Sequence, residues 1–151
     1  MGAGKPETIT VSVKTLHPKA KMPVYGSPEA AGADLCAVEH EVIAPGQRVL
    51  VKTGLVIELN PGYQAEIRPR SGLALKRGIT VVNTPGTIDS DYRGEIGVIL
   101  INHGDTPFVI EPGDRIAQMV IMPVVIGHFF ATGGTLSSTD RGEGGFGSTG
   151  V

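Results

Sequence analysis

Four Pro-Gly pairs constrain this chain more than any other feature. They fall at Pro45-Gly46, Pro61-Gly62, Pro85-Gly86 and Pro112-Gly113. Each marks a turn, because proline presets φ at the first central position and glycine accepts the positive φ that follows. The runs between the turns are short. Thr8–Val13 alternates polar and apolar residues, as a half-buried strand does. Arg48–Lys52 and Leu55–Leu59 are split by Gly54, and Tyr63–Arg68 alternates again. Ile79–Val82, Ile96–Ile101, Phe108–Ile110 and Ile116–Ile121 are rich in β-branched residues. Many short strands at this spacing predict an all-β subunit, a sandwich or jelly-roll-like barrel. The spacing predicts one helix, over Ser71–Arg77, with Ser71 as its cap.

Composition supports that picture and narrows the function. Glycine (22) and proline (11) exceed a fifth of the 151 residues, and with no tryptophan the core must be aliphatic. The length suits one domain. A net charge of −2 gives no general field for a nucleic-acid polymer, so local basic groups must meet any polyanion. The single cysteine, Cys36, excludes a disulfide scaffold and fits a reducing compartment. It lies in an apolar run and reads as filler rather than as a nucleophile. Met1–Pro6 has no apolar leader, and no stretch approaches the ~18 apolar residues of a membrane span. The expectation is a cytoplasmic protein without a membrane partner.

After Ala131 the composition changes. Thr132–Val151 is mostly Gly, Ser and Thr with a few charges, and cannot build its own core. The expected organisation is therefore a β domain over 1–131 and a Gly-rich arm over 132–151.

Several segments could carry chemistry. Pro69-Arg70-Ser71-Gly72-Leu73 opens the helix, where free N–H groups, a guanidinium and a hydroxyl suit phosphate; an ordinary capped surface helix has the same look. Asn83–Gly94 joins two strand-like runs, and a hairpin is the natural geometry. Its backbone could meet the edge of a flat heterocycle, Tyr92 offers a ring face, and Asp89 could serve as general base. An acidic turn with capping aspartates is the plain alternative. Asp34 in Ala31–Leu35 could serve a metal or cap a turn. Gln118 could reach a ligand or face outward from a strand. In Arg141–Gly150, glycines allow close backbone approach, Arg141, Ser148 and Thr149 can hold phosphate, and Phe146 can stack on a base; a mobile terminus is the alternative. The four scattered histidines give no zinc spacing, and there is neither a P-loop nor a G-x-S-x-G elbow.

The order of these segments is more specific than any one of them. A-G-A-D-L, P-R-S-G-L, N-x-x-G-x-I-D-x-x-Y-x-G, G-D-R-I-A-Q and R-G-x-G-G-F-G-S-T-G resemble the five ordered motifs of the homotrimeric dUTPase family, from Ala31 to Gly150. The resemblance implies a jelly-roll-like subunit, a homotrimer with shared interface sites, and a C-terminal arm that closes them. It implies hydrolysis of dUTP to dUMP and pyrophosphate, which limits uracil in DNA and supplies dUMP for dTMP synthesis. By the same resemblance Arg70, Ser71, Gly72 and Gln118 hold phosphates. Asn83, Gly86 and the backbone at Thr87, Ile88 and Gly97 read uracil, and Tyr92 packs on the deoxyribose. Arg141, Gly147, Ser148 and Thr149 close over the phosphates, with Phe146 on the base. Asp89 is the implied base, and Mg²⁺ is the implied cofactor, reached by Asp34 through water. A dCTP deaminase of the same fold, or a nucleotide-responsive binding protein, is the alternative.

Overall fold

Alternation decides which side of each strand meets the core. The computed structural model describes residues 4–150; Met1–Ala3 and Val151, at the outer ends of the expected domain and arm, lie outside the described residues. The elements run β1 (Ser12–Thr15), β2 (Val24–Tyr25), β3 (Ala33–Cys36), β4 (Glu41–Ile43), β5 (Arg48–Lys52), β6 (Leu55–Glu58) and β7 (Tyr63–Arg68). Then come α1 (Ser71–Arg77), β8 (Ile79–Val81), β9 (Gly86–Ile88), β10 (Gly97–Asn102), β11 (Phe108–Ile110) and β12 (Arg115–Pro123). The strands form separate sheets in the orders β2-β3-β12-β7-β9, β5-β10-β8, β1-β6 and β11-β4. All the pairings are antiparallel. The result is the expected all-β, jelly-roll-like arrangement, open as a sandwich rather than closed as a barrel.

In β7, Ala65 and Ile67 are buried while Glu66 and Arg68 face partly outward. In β10, Val98 and Leu100 are buried. Leu35, Ile43, Leu55, Ile79, Ile96, Ile110 and Ile116 join them in an aliphatic core. Each fully buried Leu or Ile contributes roughly 1.5–3 kcal/mol relative to exposure. Two buried polar residues are fully used. Asn102 Nδ2 donates to the carbonyls of Ile43 (2.9 Å) and Thr106 (2.8 Å), and its Oδ1 accepts from Gly104 N–H (2.8 Å). Thr53 Oγ1 donates to the Ile96 carbonyl at 2.6 Å.

Three of the Pro-Gly turns connect strands as expected: β4 to β5, β6 to β7, and β11 to β12. Gly62 and Gly113 take φ of 91° and 92°, which a residue with Cβ resists. Elsewhere the structure departs from the sequence pattern. The first strand is Ser12–Thr15 rather than Thr8–Val13, because its register is set by pairing with β6, Ser12 against Glu58. The short strands β2, β3 and β4 lie outside the runs that the sequence marked as strands. Asn83–Gly94 is not a simple hairpin. β8 and β10 do pair with each other, but the chain between them crosses to the other sheet, where β9 pairs with β7, Ile88 against Ala65. Burial of Ile88 and close packing of Gly86 on Ile67 favour that crossing.

The helix lies where expected, but Ser71 is its first helical residue rather than its cap. Arg70 holds the cap position in extended conformation, with no side-chain cap hydrogen bond. Its carbonyl accepts the first helical bond, from Ala74 N–H at 3.0 Å. The chain leaves β7 extended through Pro69, so the change of conformation falls one residue earlier than the hydroxyl suggested.

Candidate active site

Strand register brings the basic groups together. Asp34 on β3 lies opposite Gln118 on β12, and Gln118 lies opposite Arg68 on β7. These side chains share the outer face of the five-stranded sheet, since Ala33, Leu35, Ala117 and Met119 between them are buried. Arg70 Nε approaches Asp34 Oδ1 at 3.6 Å, and Arg115 Nη1 approaches Asp34 Oδ2 at 3.5 Å. Arg70 Nη1 also donates to the Arg115 carbonyl at 3.2 Å. Gln118 Nε2 donates to the Pro69 carbonyl at 3.0 Å, fixing the residue before Arg70. Two guanidinium groups against one carboxylate leave a positive excess, suited to phosphate oxygens. Ser71 and Gly72 stand at the start of α1 beside Arg70, with the Ser71 hydroxyl free of any cap role.

Arg115 is the residue sequence reasoning missed here. It stands in the G-D-R-I-A-Q segment, but only the strand pairing puts its guanidinium on Asp34. Cys36, two residues beyond Asp34 and opposite Arg115, belongs to the same face. Burial pushes its thiol above the usual range, and Asp34 adds to the rise, while Lys21, Arg115 and Arg70 oppose it. That behaviour fits an inert filler rather than a nucleophile.

A second group of expected residues gathers where β9 ends and β10 begins. Thr87, Ile88, Asp89, Tyr92 and Gly97 line a cleft of ≈ 170 Å³, with Glu95 and Ile96 as further walls that the sequence did not single out. Asn83, Gly86, Thr87, Ile88 and Gly97 line a smaller hollow of ≈ 60 Å³ whose floor is Ile67, Val81, Val98 and Ile99. Backbone from an edge strand and a loop therefore faces both spaces. Tyr92 is held over Gly94: its hydroxyl donates to the Glu95 carbonyl at 3.0 Å, and a Cβ on Gly94 would lie 2.3 Å from that hydroxyl. Asp89 stands at the mouth, lining this cleft and also a neighbouring one with Tyr63, Ser90 and Val124.

The two groups are not joined. Among the described residues, no hydrogen bond or ion pair connects Asp89 or Tyr92 with Asp34, Arg70, Ser71 or Gln118. One group lies on a sheet's outer face and the other in a crevice at its edge. The arm joins neither. Val124 N–H donates to Gly62 at 2.9 Å, and beyond it the described arm residues hydrogen-bond only among themselves. Arg141 Nε turns back to the Gly144 carbonyl at 2.8 Å, and Phe146 is fully exposed. Gly147, Ser148 and Thr149 likewise make no contact with the cleft's hydrogen-bonding groups. No helix is long and apolar enough to cross a membrane among the described residues.

Guanidinium groups suited to an anion, with a backbone-walled cleft that Asp89 lines, are compatible with a nucleotide-binding protein built on a β sandwich. The dUTPase family model matches residues 18–150. A deoxyuridine 5'-triphosphate nucleotidohydrolase of Syntrophotalea carbinolica is 57% identical over 148 residues, covering 95% of this chain and 99% of its own. The solved Staphylococcus bacteriophage 80alpha dUTPase with dUPNHPP superposes with a TM-score of 0.89 at 29% identity, covering 95% of this chain and 100% of that one. A variant dUTPase of phage phi11, solved with a structural Mg(II) ion, has the same fold at 23% identity and a TM-score of 0.79, over 85% of this chain and 100% of its own. The chain belongs to the dUTPase family, whose reaction is hydrolysis of dUTP to dUMP and pyrophosphate.

Proposed function

We propose that this dUTPase works as a homotrimer whose active sites are assembled from different subunits, with Asp89 as general base. The observation that carries this reading is the split site. Among the described residues no hydrogen bond or ion pair joins the basic face to the cleft, and the arm makes none to either. Val125, Ile126, Phe129 and Phe130 are each more than three-quarters exposed, a stretch that a neighbouring subunit would cover. In this arrangement residues 132–151 act as an arm that completes a neighbour's site, while 1–131 form the β domain.

Each group then has a role. Backbone at Gly86, Thr87, Ile88 and Gly97, with the Asn83 amide, reads the uracil edge. Cytosine replaces one acceptor with a donor, and each polar group left unpaired costs roughly 1–3 kcal/mol. Tyr92, fixed over Gly94, packs on the deoxyribose and leaves no room for a 2'-hydroxyl. Arg70, Ser71, Gly72 and Gln118 hold the phosphates, and Arg115 joins them through Asp34. Arg141, Gly147, Ser148 and Thr149 close over the triphosphate while Phe146 stacks on the base.

Asp89 accepts a proton from a water that attacks the α-phosphorus in line. The bond from the α-phosphorus to the bridging oxygen breaks, giving dUMP and pyrophosphate. General-base help is worth about 10²–10⁴ in rate, and the rest comes from positioning and fixed charge. The donor set fits Mg²⁺ of a particular kind. Among the described residues there is no cluster of three or more His, Cys, Asp or Glu side chains that could cage a metal. Asp34 is already matched by two guanidinium groups, so it would hold the ion through water, the other ligands coming from substrate oxygens and solvent. When bound, Mg²⁺ supplies charge neutralisation across the phosphates. The cytoplasm is the compartment we assign, on the lone cysteine.

The test is co-expression of two inactive chains, Asp89→Asn and a chain ending at Ala131. Shared sites predict that mixed trimers regain activity. Failure of every mixture, with trimers confirmed by mass, would refute shared sites.

A further inference from the structure

The segment carrying Asp89 and Tyr92 runs between β9 and β10 with little to fix it. Within it, Tyr92 N–H donates to the Asp89 carbonyl at 3.1 Å and the Tyr92 hydroxyl to the Glu95 carbonyl at 3.0 Å. Both bonds are internal, so they shape the loop without placing it. The body of the sandwich holds the segment at its two ends, at Ile88 through Ala65 and at Ile96 through Thr53 and Leu55, and, among the described residues, by no backbone hydrogen bond between them.

One side chain differs. Arg93 Nη1 donates to the carbonyls of Ser90 (2.6 Å) and Tyr92 (3.1 Å), and Nη2 of the same group reaches Glu58 Oε1 at 3.3 Å. Glu58 ends β6, a strand of another sheet. Among the described residues this is the one side-chain tie from residues 90–95 to the rest of the fold. We propose that Arg93 is a positioning residue for the reaction: its guanidinium gathers the loop carbonyls on both sides of Asp91 and fastens them to β6, setting where Asp89 and Tyr92 stand.

An exposed ion pair contributes little to stability by itself. Its worth here is geometric. A lysine could not copy the arrangement, since only a planar fork meets two carbonyls and a carboxylate together. A displacement of about 1 Å in a reacting group can cost on the order of a hundredfold in rate. Arg93→Ala should therefore leave melting nearly unchanged. It should lower kcat for dUTP, through Asp89, about tenfold or more, and it should raise the relative turnover of UTP, through Tyr92.

The inference rests on the roles proposed for Asp89 and Tyr92, so the experiment runs wild type, Arg93→Ala, Arg93→Lys and Asp89→Asn in parallel. Sites are counted by active-site titration, and dUTP and UTP turnover and melting temperature are measured for each. A loss of kcat per titrated site together with weaker UTP rejection, at unchanged melting, supports the proposal. Wild-type kcat and selectivity per site in Arg93→Ala overturn it while leaving Asp89 in place if Asp89→Asn is inactive. Full activity in Asp89→Asn overturns both. Should Arg93→Ala fail to fold, Arg93→Lys is judged by the same two readouts.

Discussion

Replacing Gly32 with alanine probes the phosphate face at its tightest point. A Cβ at residue 32 would lie 2.3 Å from Gln118 Oε1 and 3.0 Å from both Gln118 Cδ and Cβ. The amide could swing away, but the Gln118 Cβ is fixed to β12, so the chain must also shift. Overpacking of this kind costs about 1–3 kcal/mol. Moving the amide also breaks its bond to the Pro69 carbonyl, a further loss of about 1 kcal/mol. The sum is about 2–4 kcal/mol, and at roughly 2–4 °C per kcal/mol for a chain of this size the melting temperature should fall by roughly 5–15 °C. Function should suffer beyond stability. Pro69 positions Arg70, so KM for dUTP should rise more than tenfold, as expected when about 1.4 kcal/mol of binding is lost. The assay is calorimetry together with steady-state pyrophosphate release. Adding Gln118→Ala removes the 2.3 Å contact and leaves only the Cβ contact. The double variant should recover little of the stability, because the Cβ contact and the lost Pro69 bond both remain, and none of the KM. Wild-type melting and wild-type KM in Gly32→Ala would refute the reasoning.

Two further outcomes follow from other parts of the molecule. Asn102→Ala leaves the Ile43 and Thr106 carbonyls without their side-chain donor. It should cost about 2–5 kcal/mol in urea denaturation, with kcat per folded molecule unchanged, because each orphaned group costs roughly 1–3 kcal/mol. Burial raises the folded pKa of Cys36 above the ordinary thiol value. Its contribution to stability is whole below the unfolded pKa and is lost as pH rises through the folded one, because the unfolded thiol ionises first. Melting of the wild type should therefore fall more steeply above pH 9.0 than melting of Cys36→Ala. Equal slopes would show that the thiol carries no such linkage.

The sequence made some of this molecule legible and hid the rest for identifiable reasons. Strands with clear alternation, such as Tyr63–Arg68, stand where the pattern put them, as do the turns at Pro61-Gly62 and Pro112-Gly113. β3 escaped because Asp34 interrupts an otherwise apolar stretch, and β2 is two residues long. The crossing of β9 to the other sheet depends on Ile88 meeting Ala65, a long-range contact that no local period encodes. At the site, residue types announced themselves, while partners did not. Arg70 and Gln118 stood out as candidate phosphate ligands, but the grip of Arg115 on Asp34 and of Arg93 on Glu58 comes from strand register and sheet order. The arm's composition showed that it cannot build a core of its own, and among the described residues it hydrogen-bonds only within itself.

We propose that Asp89 activates water for attack on dUTP alone among related nucleotides. Pyrophosphate release from dUTP, UTP, dCTP and dTTP with Mg²⁺, for the wild type and Asp89→Asn, tests it most directly. Release should be confined to dUTP and be lost in the variant while nucleotide binding is kept. Turnover of the other nucleotides at a comparable rate, or an active Asp89→Asn enzyme, would contradict it.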